Sequence, residues 1–317
     1  MGQQPTDDQG FKEGGRFLKW SRDQYEADKT RVRSTTLKLM VKAPQGPRAY
    51  YRAVLSPTES LLSEDEQKKE DTKKRNLIVG TLLHELLLEE KQNWFVTEAR
   101  RNSKQWLDEA DEYGAERLIK PREEREIFVM RDAVMENEEC AAILRKGGMT
   151  EQTVVWDEEI DGQVIQCKCR LDFLTDSGIL IDLKSSMAED RFKFNEQIMT
   201  YGYDFSAAFY GRGLLSVPEF QGHKLRFLHL VANKHGYAYL WPLSPTWMQM
   251  GRVQVQSALR DLAECLNREK AGVPPKKAWP DRQQQSQLTL LEPKEWQVAQ
   301  SNYQAGRPIS LDEHGEE

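Results

Sequence analysis

Residues 150 to 186 constrain the fold more than any other part of the chain. Three runs, TVVWDEEI, QVIQCKCRLDFL and ILIDLKSS, alternate apolar and polar residues with a period of two. The first two are joined at Asp161-Gly162 and the second pair at Thr175-Asp176-Ser177-Gly178. Period-two alternation is the pattern of a strand with one buried face, and a two-residue Asp-Gly link is a strong hairpin signal. The unit is expected to be three successive antiparallel strands.

The alternation also places chemistry. In QCKCRLDFL it puts Cys167, Cys169, Leu171 and Phe173 on one face and Lys168, Arg170 and Asp172 on the other. In ILIDLKSS, Ile179, Ile181 and Leu183 oppose Asp182 and Lys184. A two-residue turn at Asp161-Gly162 sets Glu151 beside Asp172, and a hairpin centred near Ser177 sets Asp172 beside Asp182. Like charges at directly opposed positions, with Cβ atoms about 4.5–5.5 Å apart, repel unless they share a cation. The row of Glu151, Asp172 and Asp182 is therefore expected to hold a hard divalent ion, Mg²⁺ with Mn²⁺ as a substitute. Lys184 is placed to set a positive charge beside an attacking water or a phosphate. The competing reading is a solvated strand face with a surface ion pair, and a lone D-x-K would not decide between them.

Around this unit the chain reads as helices and further strands. Ser34 precedes a short helix over TTLKLMVKA, a charged linker SEDEQKKEDTKKR follows, and NLIVGTLLHELLLEEK is apolar almost all round, as in a buried helix. Residues 122–145 predict one or two helices, 190–210 a helix, KLRFLHLVA and YAYLWPL two strands, and 246–270 an amphipathic helix. This order predicts an α/β or mixed α+β fold with a central mixed sheet flanked by helices. Residues 1–33 and 282–317 read as polar tails, the second carrying QQQSQ and an acidic end, with one domain over 34–281.

Several classes are excluded. No run approaches the roughly 20 apolar residues of a membrane span, so no membrane partner is expected. The first residues show no basic-then-apolar leader, which suggests a cytoplasmic chain. No G-x-x-x-x-G-K-[ST] phosphate loop is present, and His84-Glu85 lacks the second histidine of a zinc protease. The four cysteines, Cys140, Cys167, Cys169 and Cys265, are too scattered for a disulfide scaffold and wrongly placed for a cluster, so no Fe–S centre is expected. With a net charge of −6, nucleic-acid binding has to be local. Lys38, Lys42, Arg48, Arg52, Arg100, Arg101 and Lys104 are candidates to track phosphates.

Gly80-Thr-Leu-Leu-His84, Cys169-Arg-Leu-Asp172, Gly178-Ile-Leu-Ile-Asp182-Leu-Lys184-Ser-Ser186, Tyr203 with Ala208-Phe-Tyr210, Gly251-Arg252 and Trp279-Pro280 together resemble the RecE-type exonucleases (exodeoxyribonuclease VIII) of the PD-(D/E)xK superfamily. The resemblance spans about residues 34 to 280. It implies Mg²⁺-dependent 5′ to 3′ digestion of linear duplex DNA to give single-stranded 3′ tails for phage-type homologous recombination. It further implies a RecT-like single-strand annealing partner, a homo-oligomer that can be ring-shaped, and a bacterial or phage-infected cytoplasm. Under it Asp172, Asp182, Glu151, His84 and the Leu183 carbonyl would bind metal, two ions in all, with Lys184 as the catalytic lysine. The family's Gln-x-x-x-Tyr aligns with Ser206 and Tyr210, whereas Gln197 and Tyr201 keep the spacing nine residues earlier. These four, with Arg170 and the Arg100, Arg101 and Lys104 group, are the candidate DNA contacts. A structure-specific or restriction-type endonuclease and a catalytically silent DNA-binding module are the alternatives.

Overall fold

The computed structural model describes residues 14–57 and 64–285. In chain order the first half holds β1 (Arg16–Leu18), the short helices α1 (Arg22–Ala27), α2 (Ser34–Leu37), α3 (Leu39–Lys42) and α4 (Pro47–Tyr50), and the long helix α5 (Glu64–Leu88). Then come β2 (Phe95–Val96), α6 (Lys104–Tyr113), β3 (Leu118–Ile119), α7 (Pro121–Glu136) and α8 (Glu138–Leu144). The second half holds β4 (Gly148–Ile160), β5 (Gln163–Thr175), β6 (Ile179–Ser186), α9 (Arg191–Tyr201), α10 (Tyr203–Leu215), β7 (Arg226–Asn233) and β8 (Tyr237–Pro242). It closes with α11 (Pro245–Lys270), α12 (Pro275–Ala278) and α13 (Arg282–Gln285).

β1, β4, β5, β6, β7 and β8 pair in that order into a mixed sheet, antiparallel except where β6 lies parallel to β7. The mixed sheet between helices is the architecture that the alternation of periods implies. On one face Trp156, Cys167, Cys169 and Leu171 pack against Leu37 and Met40 of the short helices, Phe205 and Phe209 of α10, and Leu259 and Leu262 of α11. On the other, Phe173, Ile181, Leu183 and Leu230 pack against Leu82 and Leu83 of α5 and Ile127 and Met130 of α7.

Three expectations need correction. Phe173 does not share the face of Cys167, Cys169 and Leu171, because the alternation of β5 inverts across Asp172. The cause lies on β4, where Glu151 has φ 52°, a left-handed conformation that breaks the pleat. The hairpin ladder skips that step: Thr150 pairs with Phe173 and Gln152 with Leu171, while Glu151 and Asp172 form no pair between them. Second, the charged segment before Asn76 is no linker but the beginning of α5, and the helix expected over 190–210 is two helices broken at Gly202, φ 63°. Third, part of the polar N-terminal stretch belongs to the fold. Phe17 pairs with Val154, and Val32 accepts from Lys168 N–H and donates to the Gln166 carbonyl. At the other end α13 is fixed by an ion pair from Arg282 to Asp261, and the acidic C-terminal end lies outside the described residues.

Candidate active site

β5 and β6 stay paired next to their turn, Leu174 with Leu180 and Phe173 with Ile181. This is the register set by the turn signals, but the ladder stops one step short of Asp172 and Asp182. The Asp172 carboxylate enters the opening and takes the place of a strand partner: its Oδ2 accepts from the Leu183 N–H at 2.8 Å.

α5 supplies the next group. His84 Nε2 lies 3.0 Å from the Leu183 carbonyl oxygen, and because a carbonyl only accepts, Nε2 carries the hydrogen. In the neutral ring Nδ1 then presents a bare lone pair to Glu151 Oε1 at 3.6 Å and Asp172 Oδ2 at 3.7 Å. Three acceptors facing one another repel, and only a proton or a cation among them relieves the contact. Ligand atoms of His84, Glu151 and Asp172 all lie within 4.8 Å of one another, and an imidazole with two carboxylates is a donor set that divalent metals accept. The residues present fit a metal. Glu151 is also gripped from outside, Oε2 accepting from Arg170 Nε at 2.6 Å while the same guanidinium donates to the Trp20 carbonyl at 2.9 Å.

Asp182 does not belong to this group of three, although its charge reaches Asp172. Its neighbours Ile181 and Leu183 face α5, so its own side chain is directed to the α10 side of the sheet. There Oδ2 meets Lys184 Nζ at 2.6 Å and His229 Nδ1 at 3.0 Å. His229 is the parallel ladder partner of Asp182 and is enclosed by the rings of Phe194, Tyr203 and Phe227. Since Asp182 accepts, Nδ1 carries the hydrogen, and Nε2 is buried without a hydrogen-bond partner among the described residues. Against their burial, Lys184 and the His229 hydrogen bond hold the Asp182 carboxyl well below the ordinary range, and Asp182 and Asp172 hold the Lys184 amine above its own. Burial lowers the His229 ring, which keeps it neutral.

The expected DNA contacts fall in several places. Gln197 accepts from Ser186 Oγ at 2.8 Å, at the end of β6. Ser206 accepts from Lys38 Nζ at 3.1 Å, and Lys38 also donates to the Tyr201 carbonyl at 2.8 Å. Burial, with the nearby Lys184 charge, lowers Lys38 to about 8. The exposed Tyr201 ring lies tilted against Tyr203, 5.6 Å between centroids, and the Tyr203 ring centre lies 5.2 Å from Lys184 Nζ. Tyr210 is half-buried and packs against the core on the α10 side of the sheet. Arg170 is engaged by Glu151. Arg100 and Lys104 are exposed near the start of α6, and Arg101 is ion-paired with Glu123 at 2.6 Å. Sequence reasoning missed His229; its one signal was a histidine set in the apolar run RFLHLVA.

Residues 49–278 match the family described as PDDEXK-like domain of unknown function (DUF3799). The chain belongs to this PDDEXK-like family. It is thereby a member of the PD-(D/E)xK nuclease superfamily, whose enzymes are metal-dependent hydrolases. The matched span contains His84, Glu151, Asp172, Asp182 and Lys184. Among solved structures, a "putative exonuclease" from Eubacterium rectale shares the fold at 15% identity, with 89% of this chain and 98% of that chain covered and a TM-score of 0.52. SSO0001, at 14% identity over 62% of this chain and 96% of that one, has a TM-score of 0.23 and adds nothing to the comparison. No curated protein matches. Among the described residues no helix is long and apolar enough to cross a membrane.

Proposed function

We propose that the protein is a Mg²⁺-dependent exodeoxyribonuclease that digests linear double-stranded DNA from 5′ to 3′ and leaves single-stranded 3′ tails for phage-type recombination. The observation that carries this reading is the convergence of His84, Glu151 and Asp172 beside the strand that bears Asp182 and Lys184. The motifs around these residues resemble the RecE-type enzymes, and the description of the Eubacterium rectale protein as an exonuclease points the same way. The same resemblance supports a RecT-like annealing partner, a homo-oligomer that can be ring-shaped, and a cytoplasmic location.

His84, Glu151, Asp172, Asp182 and the Leu183 carbonyl would hold Mg²⁺, which when bound polarises a phosphoryl oxygen and lowers the pKa of a water. The chain's own part is to fix the geometry. Asp172 clamps β6 through the Leu183 N–H, so that the carbonyl of the same residue keeps its place beside His84. Lys184 remains protonated and supplies the positive charge against which charge on the phosphate develops. Tyr203 lies against the lysine and limits its swing.

Digestion of linear and covalently closed circular duplex with Mg²⁺, resolved by product length, tests the reading. Short products from linear DNA with the circle intact support an exonuclease, cutting of the circle establishes the endonuclease alternative, and no cutting of either removes both. Strands labelled at one end or the other give the polarity. Lys184→Ala should abolish cleavage while leaving DNA binding within a few-fold, because its charge acts on the transition state and not on docking.

A further inference from the structure

A second feature lies along α5, away from the carboxylates. At His84 the helix faces Leu183; one turn earlier, at Gly80, a Cβ would meet Ser185 Oγ at 3.1 Å; two turns earlier Asn76 accepts from Lys234 Nζ at 3.1 Å. α5 therefore tracks β6 from the site to the carboxyl end of the sheet, and the absence of a side chain at 80 lets the helix lie close against the strand. The track ends in a cavity of about 600 Å³ lined by Arg75, Arg101, Lys120, Arg122, Arg125 and Lys234 against Glu98, Glu123 and Glu126. Cations outnumber acids two to one here, in a chain whose net charge is −6.

The acids shape the wall more than they neutralise it. Glu123 is buried and saturated, accepting from Arg75 Nε and Nη2 at 3.0 and 2.9 Å, from Arg101 at 2.6 Å and from the Lys120 N–H at 2.8 Å. Glu126 takes Lys234 at 2.9 Å and Arg122 at 3.2 Å. Arg122, 84% exposed at its side chain, and the exposed Arg125 stand on the first turns of α7, where the helix dipole adds positive potential. Arg122 gives only its Nε to Glu126, and its remaining guanidinium N–H donors suit phosphate oxygens.

We propose that this cavity seats the phosphate backbone of the substrate strand, with α5 as the track between it and the reacting phosphate. The eight residues from His84 to Asn76 span about 12 Å of helix, or roughly three to four nucleotides at the rise of one duplex strand. The inference rests on the nuclease reading above.

The test is binding of a fluorescent linear duplex by the full chain in a Lys184→Ala background, with the double variant R122Q/R125Q and a control of equal charge change, R260Q/R268Q, on α11. The cavity variant is expected to lose about tenfold in affinity at low salt, and its plot of log K against log[salt] should flatten by about 1.8, the contribution of two phosphates. The control should stay within twofold. Equal affinity and slope in the cavity variant and its parent, an equal loss in the control, or competition by polyglutamate as effective as that by an oligonucleotide of the same length would each overturn the proposal. Cleavage of linear duplex by the unaltered chain separates the two readings: binding with the expected slopes and no cleavage sinks the nuclease and leaves the cavity, whereas cleavage with unchanged slopes does the reverse.

Discussion

Burial pushes the Asp172 carboxyl up to about 6, with Asp182 adding to the rise and His84 opposing it. His84, which burial would lower, is raised by Asp172 and Glu151. Both groups bind a proton more tightly folded than unfolded, so the stability that they contribute is present at low pH and is lost as pH rises. Asp172 loses its share between about 4 and 6, and His84 extends the loss above its ordinary value. Asp182, held low, has the opposite sign and contributes stability that disappears only as pH falls below the ordinary carboxylate range. His229, whose ring burial lowers, shares the sign of Asp182 and gains stability as pH rises through its ordinary value. The slope is therefore read against Asp172→Asn: relative to that variant the metal-free parent should lose stability on the order of 1–3 kcal/mol between about pH 4 and pH 8. An equal slope in the two proteins refutes the assignment. Asp182 makes a second case. Its carboxylate is aimed by the Nδ1–H of a neutral His229, and Asn can place a donor near that position whereas Leu cannot. His229→Leu should therefore raise the Mn²⁺ concentration needed for a thermal shift by about tenfold, as expected for lost ligand orientation, and His229→Asn should restore most of it; equal curves for all three would make the histidine mere filling. Glu151, Asp172, Asp182 and Lys184 were legible in the sequence because two tight turns fix the register. His229 was not: β7 joins β6 in parallel after some forty residues of helix and loop, and no local turn announces its partner.

The same distinction holds for whole elements. The β4–β5 and β5–β6 hairpins could be read because their pairing is local, and α11 because one stripe of it is apolar. The sequence before Asn76 is almost wholly charged and polar, which reads as linker; what makes it helix is continuity with the buried stretch around Leu82 and Leu83. β1 has three residues and pairs with a strand more than 130 positions away, so nothing in its own sequence marks it. The break at Gly202 is visible only once its left-handed φ is known, and it turns α10 so that Ser206 meets Lys38. α10 and α11 in turn depend on Gly251. A Cβ there would lie 2.1 Å from the Asp204 carbonyl oxygen and 3.0 Å from the Ala208 Cβ, so the two helices touch backbone to backbone. Gly251→Ala forces them apart and should cost about 1–3 kcal/mol as overpacking, against a few tenths gained from helix propensity. Because α10 faces Asp182, the variant should also lose activity beyond what its melting temperature explains. A fully stable Gly251→Ala protein would show that the helices separate without strain.

At the scale of the molecule, three layers converge on one opening between β5 and β6. α5 supplies His84, the sheet supplies the carboxylates, and α9 and α10 enclose the far side of Asp182, while the N-terminal stretch braces the site from outside through Trp20 and Arg170. Such a site is held in mutual repulsion by the rigidity of the whole fold, and a cation relieves it. Mg²⁺ or Mn²⁺ should therefore stabilise the entire domain, by about 2.7 kcal/mol at a hundredfold excess over the dissociation constant, which is a shift of several degrees for a chain of this size. Asp172→Asn separates charge from structure. The amide oxygen can still accept the Leu183 N–H, so the opened ladder keeps its bridge, but one negative charge is gone. Without metal the variant should consequently melt above the parent, since one repulsion has been removed. With saturating Mg²⁺ the order should invert, because the parent gains and the variant does not. A merely structural aspartate gives no such crossing: its asparagine variant lies below the parent at every metal concentration. Melts of the two proteins in EDTA and across a Mg²⁺ titration decide it. If Asp172→Asn retains the full metal-dependent shift, the cation sits elsewhere and the cluster of His84, Glu151 and Asp172 is not the metal site.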